Sequence, residues 1–168
     1  WLDEDSETKL MGAETDYYNT LDNPYNAKNG KMASLHELRL IKGMNESLSK
    51  KAEDAVLEPW LSVYGDGKVN INTAPAEVLL SLADEMDETV VETIIDYREE
   101  NPFLSREDLK KVPRLDEETR KAIASKVKVT SNFFSVKVRG IVKEVSTDIY
   151  TVVSRKSGKI KIIYYGEI

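Results

Sequence analysis

The segment from Val69 to Val127 sets the strongest constraint on the fold. It reads VNINTAPAEVL, then, after a short gap, VVETIIDYREENPFLSREDLKKV and RLDEETRKAIASKV. Apolar residues recur at helical spacing within each run, and only tight polar corners separate the runs. The pattern predicts four short amphipathic helices, the layout of paired helix-hairpin-helix units. Pro75 suits the first turn of a helix running through Leu82. A longer helix from Glu88 to Glu100 turns Val91, Ile94, Ile95 and the stem of Arg98 inward. Asn101-Pro102 ends it, since the residue before a proline avoids helical geometry. Units of this kind normally hold DNA through glycine-rich hairpins, whose backbone N–H groups approach a phosphate closely. Both hairpins here, Ala83–Asp87 and Pro113–Asp116, lack glycine. Acids stand in and beside them (Asp84, Glu85, Asp87, Asp116, Glu117), and acids repel phosphate.

A related pattern lies upstream. A shift of 71 residues lays Ser34, Glu37, Leu38, Ile41 and Met44 on Ser105, Asp108, Leu109, Val112 and Leu115. Each copy reads as a capped helix, an apolar anchor, a corner and a further helix, which makes a repeated unit. Ser34-Leu35-His36-Glu37 has the form of a capping box, with Leu38 and Ile41 facing inward. Gly43 marks the corner and keeps this hairpin nearer the DNA-binding type. Leu48, Ala52, Val56 and Leu57 carry a second apolar stripe. Pro59, Gly65 and Gly67 then break the chain, with Trp60 placed to anchor the linker.

After Val127 the period changes from helical to alternating. Phe134-Val136-Val138, Ile149-Thr151-Val153 and Ile160-Ile162-Tyr164 read as three strands, with Ser146-Thr147-Asp148 and Ser157-Gly158 as turns. Such a meander has one face to bury and one basic face, and three strands alone are marginal, so the sheet calls for a packing partner. The fold class is α+β: a helical domain of repeated helix-hairpin-helix (SAM-like) units joined to a C-terminal antiparallel β-meander. Four regions follow: an acidic loop region over 1–30, a first helix-hairpin-helix unit over 31–64, a second, paired one over 65–130, and the sheet over 131–168.

Charge follows the same division. Residues 1–30 carry a net −5 and residues 128–168 a net +5, within a total of −6. An acidic total disfavours general nucleic-acid binding, whose affinity comes mostly from basic surface. Catalytic candidates are lacking. The chain has no cysteine, its one histidine, His36, fits a surface or capping position, and no serine or threonine has a base partner in view. Tyr17, Tyr18 and Tyr25 fit residues that pin a loop to a core. The basic residues Lys137, Arg139, Lys143, Arg155, Lys159 and Lys161 fit the solvated face of a half-buried sheet.

The acidic head is the candidate metal site. Asp3, Asp5, Glu14 and Asp16 lie close together on irregular chain, and hard cations take carboxylate and carbonyl oxygens from flexible backbone. Glu4, Glu7 and Asp22 are equally legal ligands, and a solvated acidic surface is the plain alternative.

WLDEDSETKLMGAETDYY, NPYNAKNGKMASLHELRLIKGM, KVNINTAPAEVL and SNFFSVKVRGIV, in that order, resemble the minor pseudopilin K family of the bacterial type II secretion system across the whole chain. The resemblance implies a non-enzymatic subunit at the pseudopilus tip, with a pilin-type sheet carrying a bulky helical domain. It implies minor pseudopilins I and J as partners, no nucleic acid, and Ca²⁺ near the acidic loop, for which Asp3, Asp5, Glu14 and Asp16 are the candidate ligands. It also implies an inner-membrane protein whose soluble domain lies in the periplasm, anchored by an N-terminal helix that precedes Trp1. NINTAPAEVL with IIDYREENPF resembles the helix-hairpin-helix domain of competence DNA receptors as well, so a DNA-binding module is the alternative.

Overall fold

The computed structural model describes residues 1–44, 57 and 60–167. The second apolar stripe expected over 48–57 therefore lies, Leu57 apart, outside the described residues. The chain divides into two compact units, Trp1–Val63 and Tyr64–Ile168.

The first unit is held by aromatic packing. A one-turn helix, α1 (Thr15–Tyr18), buries Tyr18 among Ala13 and Ala27. Trp1 meets Tyr18 edge-on at 5.4 Å, and Tyr25 stacks on Tyr18 at 5.1 Å. The two phenols reach across to the next element: the Tyr25 hydroxyl donates to the Leu40 carbonyl at 2.8 Å, and the Tyr18 hydroxyl accepts from the Lys42 N–H at 3.2 Å. These tyrosines pin the loop. That next element is a 3-10 helix, η1 (Leu35–Leu40), with Leu38 and Ile41 only half-buried. The capping box expected at Ser34 is not made by the serine, whose side chain caps nothing. Glu37 instead accepts from the Ala33 N–H at 2.7 Å and from Lys28 at 2.5 Å. Trp60 is exposed rather than an anchor.

The second unit opens with a pairing that has no periodic signature. β1 (Val69–Asn70) runs parallel to β2 (Val127–Lys128), Val69 opposite Val127 and Asn70 opposite Lys128. Between them come α2 (Ala76–Leu80), α3 (Glu88–Glu100), a 3-10 helix η2 (Arg106–Lys111) and α4 (Glu117–Ala124). Pro75 sits at the N-cap of α2 in extended geometry, one position earlier than the first turn. The α3 helix has the bounds its sequence signals. The Asp87 carboxylate accepts from the Val90 N–H at 2.8 Å at its start, and Asn101 leaves helical geometry at its end. Val91 and Ile94 face a core of Ile71, Leu79, Phe103, Leu109, Ile123 and Val127. Each fully buried aliphatic side chain of this kind contributes about 1.5–3 kcal/mol.

The 71-residue offset has a backbone counterpart. Leu35–Leu40 and Arg106–Lys111 are both six-residue 3-10 helices, entered from extended Ser34 (φ −149°) and Ser105 (φ −145°). Glu37 accepts from the Ala33 N–H, and Asp108 accepts from the Leu104 N–H at 2.9 Å. Gly43 has φ +85°, and at the same offset Arg114 has φ +62°. The hairpin without glycine thus keeps the left-handed residue and places an arginine there. The helix that would follow Gly43 lies outside the described residues.

The last sheet has the order β3 (Phe133–Val142), β4 (Val145–Lys156), β5 (Lys159–Glu167), antiparallel throughout. Its first turn is Lys143–Glu144, with Lys143 at φ +57°, and not Ser146-Thr147-Asp148, which belongs to β4. Ser157–Gly158 forms the second, with both residues at positive φ, the geometry that matches strand twist in a two-residue hairpin.

Candidate functional site

Three places were marked by the sequence: the acidic head, the hairpins and the sheet. In the acidic head, Gly12 N–H donates to the Lys9 carbonyl at 2.8 Å, and α1 starts immediately after Glu14. The four candidate ligands do not gather. Asp3 holds Lys9 at 2.7 Å, and that hydrogen bond keeps its carboxyl low, at about 2. Asp5 accepts from the Glu7 N–H at 2.9 Å. Asp16 is exposed in the first turn of α1. Glu14 is only 7% exposed, and its Oε2 has no hydrogen-bond partner. Among the described residues no three His, Asp or Glu side chains form a metal-holding group. Glu46, Glu53, Asp54 and Glu58 lie outside that description.

Lys9 is the residue that sequence reasoning missed. Its pKa is raised by the hydrogen bond to Asp3, then by the charges of Asp3, Asp5 and Glu14. A tethered ammonium therefore stands in the field of three of the four proposed ligands. The orphaned Glu14 oxygen fits a cation; the four carboxylates as a ready-made cage do not fit one.

At the hairpins the structure gives a reason for the acids. Asp87 caps α3, and Asp116 caps α4 by accepting from the Thr119 N–H at 2.8 Å. The Asp116 carboxyl is lowered by that N–H and by the Thr119 side chain. A helix N-terminus attracts anions because its first N–H groups are unsatisfied. Here the protein's own carboxylates fill both positions, so a phosphate arriving there meets a negative charge and occupied donors.

Behind the hairpins two side chains hold the loop between β1 and α2. The Arg98 guanidinium donates to the Ile71 and Ala74 carbonyls, both at 2.8 Å, and burial lowers its pKa. Asn72 bonds Phe103 and Val129 through its carboxamide. The inward direction of Arg98 was legible; its carbonyl partners were not.

In the sheet, the register puts Phe134, Val136, Val138 and Val142 on one face with Val145, Ile149 and Val153 of β4 and Ile160, Ile162 and Tyr165 of β5. This apolar face is open: Val138 is 51% and Ile160 71% exposed. The opposite face carries Lys137, Arg139 and Lys161 and is partly covered by its own side chains. Lys137 lies over Tyr150 at 5.6 Å, Arg139 pairs with Asp148 at 2.6 Å, and Val152 on the same face is 3% exposed. Arg155 departs from the basic face and lies over Phe134 at 4.7 Å. The expected burial is therefore reversed: the basic side is the better covered one, and no described element covers the apolar side.

Comparison with known proteins gives the family. Residues 1–66 and residues 69–130 each match type II secretion system (T2SS) protein K. Transcriptional accessory protein Tex of Neisseria gonorrhoeae is 40% identical over 77 residues, which is 45% of this chain and 10% of that protein. Human S1 RNA-binding domain-containing protein 1 is 30% identical over 129 residues, 70% of this chain and 12% of that protein. The chain thus spans only about a tenth of the length of these curated relatives. The crystal structure of the GspK-GspI-GspJ complex from the enterotoxigenic Escherichia coli type 2 secretion system contains a chain of the same fold. The TM-score is 0.68 at 20% identity, over 99% of this chain and 59% of that one. With both of its matched segments assigned to one family, the chain belongs to the protein K family of the type II secretion system.

Proposed function

We propose that this chain acts as a non-enzymatic minor pseudopilin at the tip of the type II secretion pseudopilus, taking part in export of folded proteins. The observation that carries the reading is the open apolar face of β3–β5, which suits packing against an apolar helix within a filament. The helical segment would add the bulk that ends the filament, its helix-hairpin-helix repeat serving as packing units. Assembly with pseudopilins I and J belongs to the same reading and is supported by the fold shared with a chain of the GspK-GspI-GspJ complex. Anchoring in the inner membrane, with this part in the periplasm, completes it; no described helix is itself long and apolar enough to cross a membrane. Co-expression with the I and J proteins of the same system, followed by size-exclusion chromatography with light scattering, tests the proposal. A stable complex is the expected result, and three separate peaks would remove the tip assignment.

Calcium in the acidic head has narrower support, namely the buried, partnerless Oε2 of Glu14. Gathering Asp3, Asp5 and Asp16 around it requires Lys9 to leave. A rise in thermal midpoint with Ca²⁺, reversed by chelator, is the expected outcome; an unchanged midpoint removes the metal. The competence-type alternative draws no support from the capped hairpins. Salt-sensitive, submicromolar binding of duplex DNA would reinstate it.

A further inference from the structure

Leu10 and Met11 are 98% and 87% exposed, side by side at the tip of the turn that the Gly12 N–H closes onto the Lys9 carbonyl. Single exposed apolar residues are ordinary. An adjacent pair held out on a braced turn is not explained by folding, for neither side chain contributes to a core. The turn is also kept at a cost. Met11 has φ +65°, a left-handed conformation that is unfavourable for a side-chain-bearing residue and persists only where its surroundings impose it. The surroundings do so from both ends. Lys9 is fixed by Asp3 at 2.7 Å, and the Lys42 ammonium donates to the Gly12 carbonyl at 3.0 Å. A Cβ on Gly12 would stand 3.1 Å from the Lys9 carbonyl oxygen, so the tight closure favours glycine there. Two cations brace the tip, Lys9 (paired with Asp3) and Lys42, but the exposed charges flanking it in the chain are acidic on balance, Glu4, Asp5 and Glu7 preceding it and Asp16 following.

We infer that the Leu10–Met11 turn is a docking knob that enters an apolar socket edged with basic side chains on a partner pseudopilin of the same assembly. The inference rests on the tip-subunit reading above. A pre-organised, single-conformer knob suits a permanent partner of fixed shape, because the ordering cost is met before binding. The acidic surround favours a cationic rim on the partner and opposes an anionic lipid surface.

The test uses the full-length protein co-expressed with its I and J pseudopilins, as wild type, as Leu10→Asp/Met11→Asp and as the conservative Leu10→Met/Met11→Leu. The thermal midpoint of each is read beside its affinity for the I–J pair. The expected result is an unchanged midpoint in all three, affinity lowered about tenfold or more in the aspartate variant, and near-normal affinity in the conservative one. Equal affinity in the aspartate variant and wild type overturns the knob while leaving the tip reading intact. A lowered midpoint also overturns it, since the pair would then serve folding. Binding to phosphatidylglycerol vesicles that depends on Leu10 replaces the protein socket with a membrane. Failure of the wild type to bind the I–J pair brings down both readings together.

Discussion

The Asn72 carboxamide pairs with the backbone of Phe103 as a neighbouring strand would, its oxygen accepting from the Phe103 N–H at 2.8 Å and its nitrogen donating to the Phe103 carbonyl at 2.9 Å. The same nitrogen reaches the Val129 carbonyl at 3.0 Å. One side chain thereby ties the loop after β1 to the end of α3 and to the exit from β2. Asn72→Ala strands three backbone groups in a half-buried position and is expected to lower unfolding free energy by about 2 kcal/mol. Asn72→Asp is expected to do worse at neutral pH, because a carboxylate then faces two carbonyl oxygens. Urea denaturation of the three proteins checks the order.

Arg98 supplies the second tie. Its two bonds to the Ile71 and Ala74 carbonyls are charge-assisted and partly sheltered. Arg98→Met keeps most of the packed stem and loses the donors, with an expected cost of about 2 kcal/mol. Arg98→Lys restores charge without the planar fork and should recover only part of the loss. The midpoints of chemical unfolding separate these outcomes.

Arg114 occupies a left-handed position without being a glycine. Arg114→Gly is expected to raise stability by up to about 1 kcal/mol, the relief of backbone strain less the larger entropy glycine loses on folding. Arg114→Val, β-branched at the same φ, is expected to lower it by more than that. Thermal melts of the pair test the sign.

Acid sensitivity has a defined direction. Asp108 is held at about 2 by its hydrogen bond to Lys111, then by the N–H groups of Ser105 and Leu104, and Asp3 at about 2 by Lys9. Both folded pKa values lie below the ordinary value of 3.8, so the stability they provide is present above that value. It is lost as pH falls from there toward 2. Asp108→Asn should flatten the fall in thermal midpoint across that window, and added salt should flatten it further because the lysine partner of each pair is exposed.

The two faces of the sheet give a contrast in burial. Ile162→Lys, on the open apolar face, is expected to change the melting temperature of this chain little. Val152→Lys, in the covered face at 3% exposure, is expected to unfold the sheet. Circular dichroism in the strand region reads both.

Much of this architecture was legible, and the gaps have physical causes. The end of α3 was written in Asn101-Pro102, and its start at Glu88 was read from the apolar spacing, the Asp87 cap emerging only in the structure. Spacing marked short helical turns near Leu35 and Arg106 but did not show that both are 3-10 helices. Local signals misled where backbone freedom substituted for composition. Ser146-Thr147-Asp148 looks like a turn, yet the chain turned at Lys143, whose left-handed geometry has no sequence mark. The β1–β2 pair joins residues 58 positions apart through two-residue strands, too short for any period. In the acidic head, residue types showed seven acids over 1–30 but not that Lys9 would stand among three of them. Irregular loops give no register from which to predict convergence.

The β1–β2 pairing has a geometric consequence for the rest of the molecule. Because the strands are parallel and adjacent, the chain leaves the helical segment in the direction it entered, displaced sideways by about 4.8 Å. To the polypeptide on either side, everything from Ile71 to Lys126 is a detour with almost no net displacement. The strands that bound the detour also pack into its core, through Val69 and Val127, with Val129 just beyond them. The two-residue clasp thus fixes the entry and the exit of the helical segment to each other.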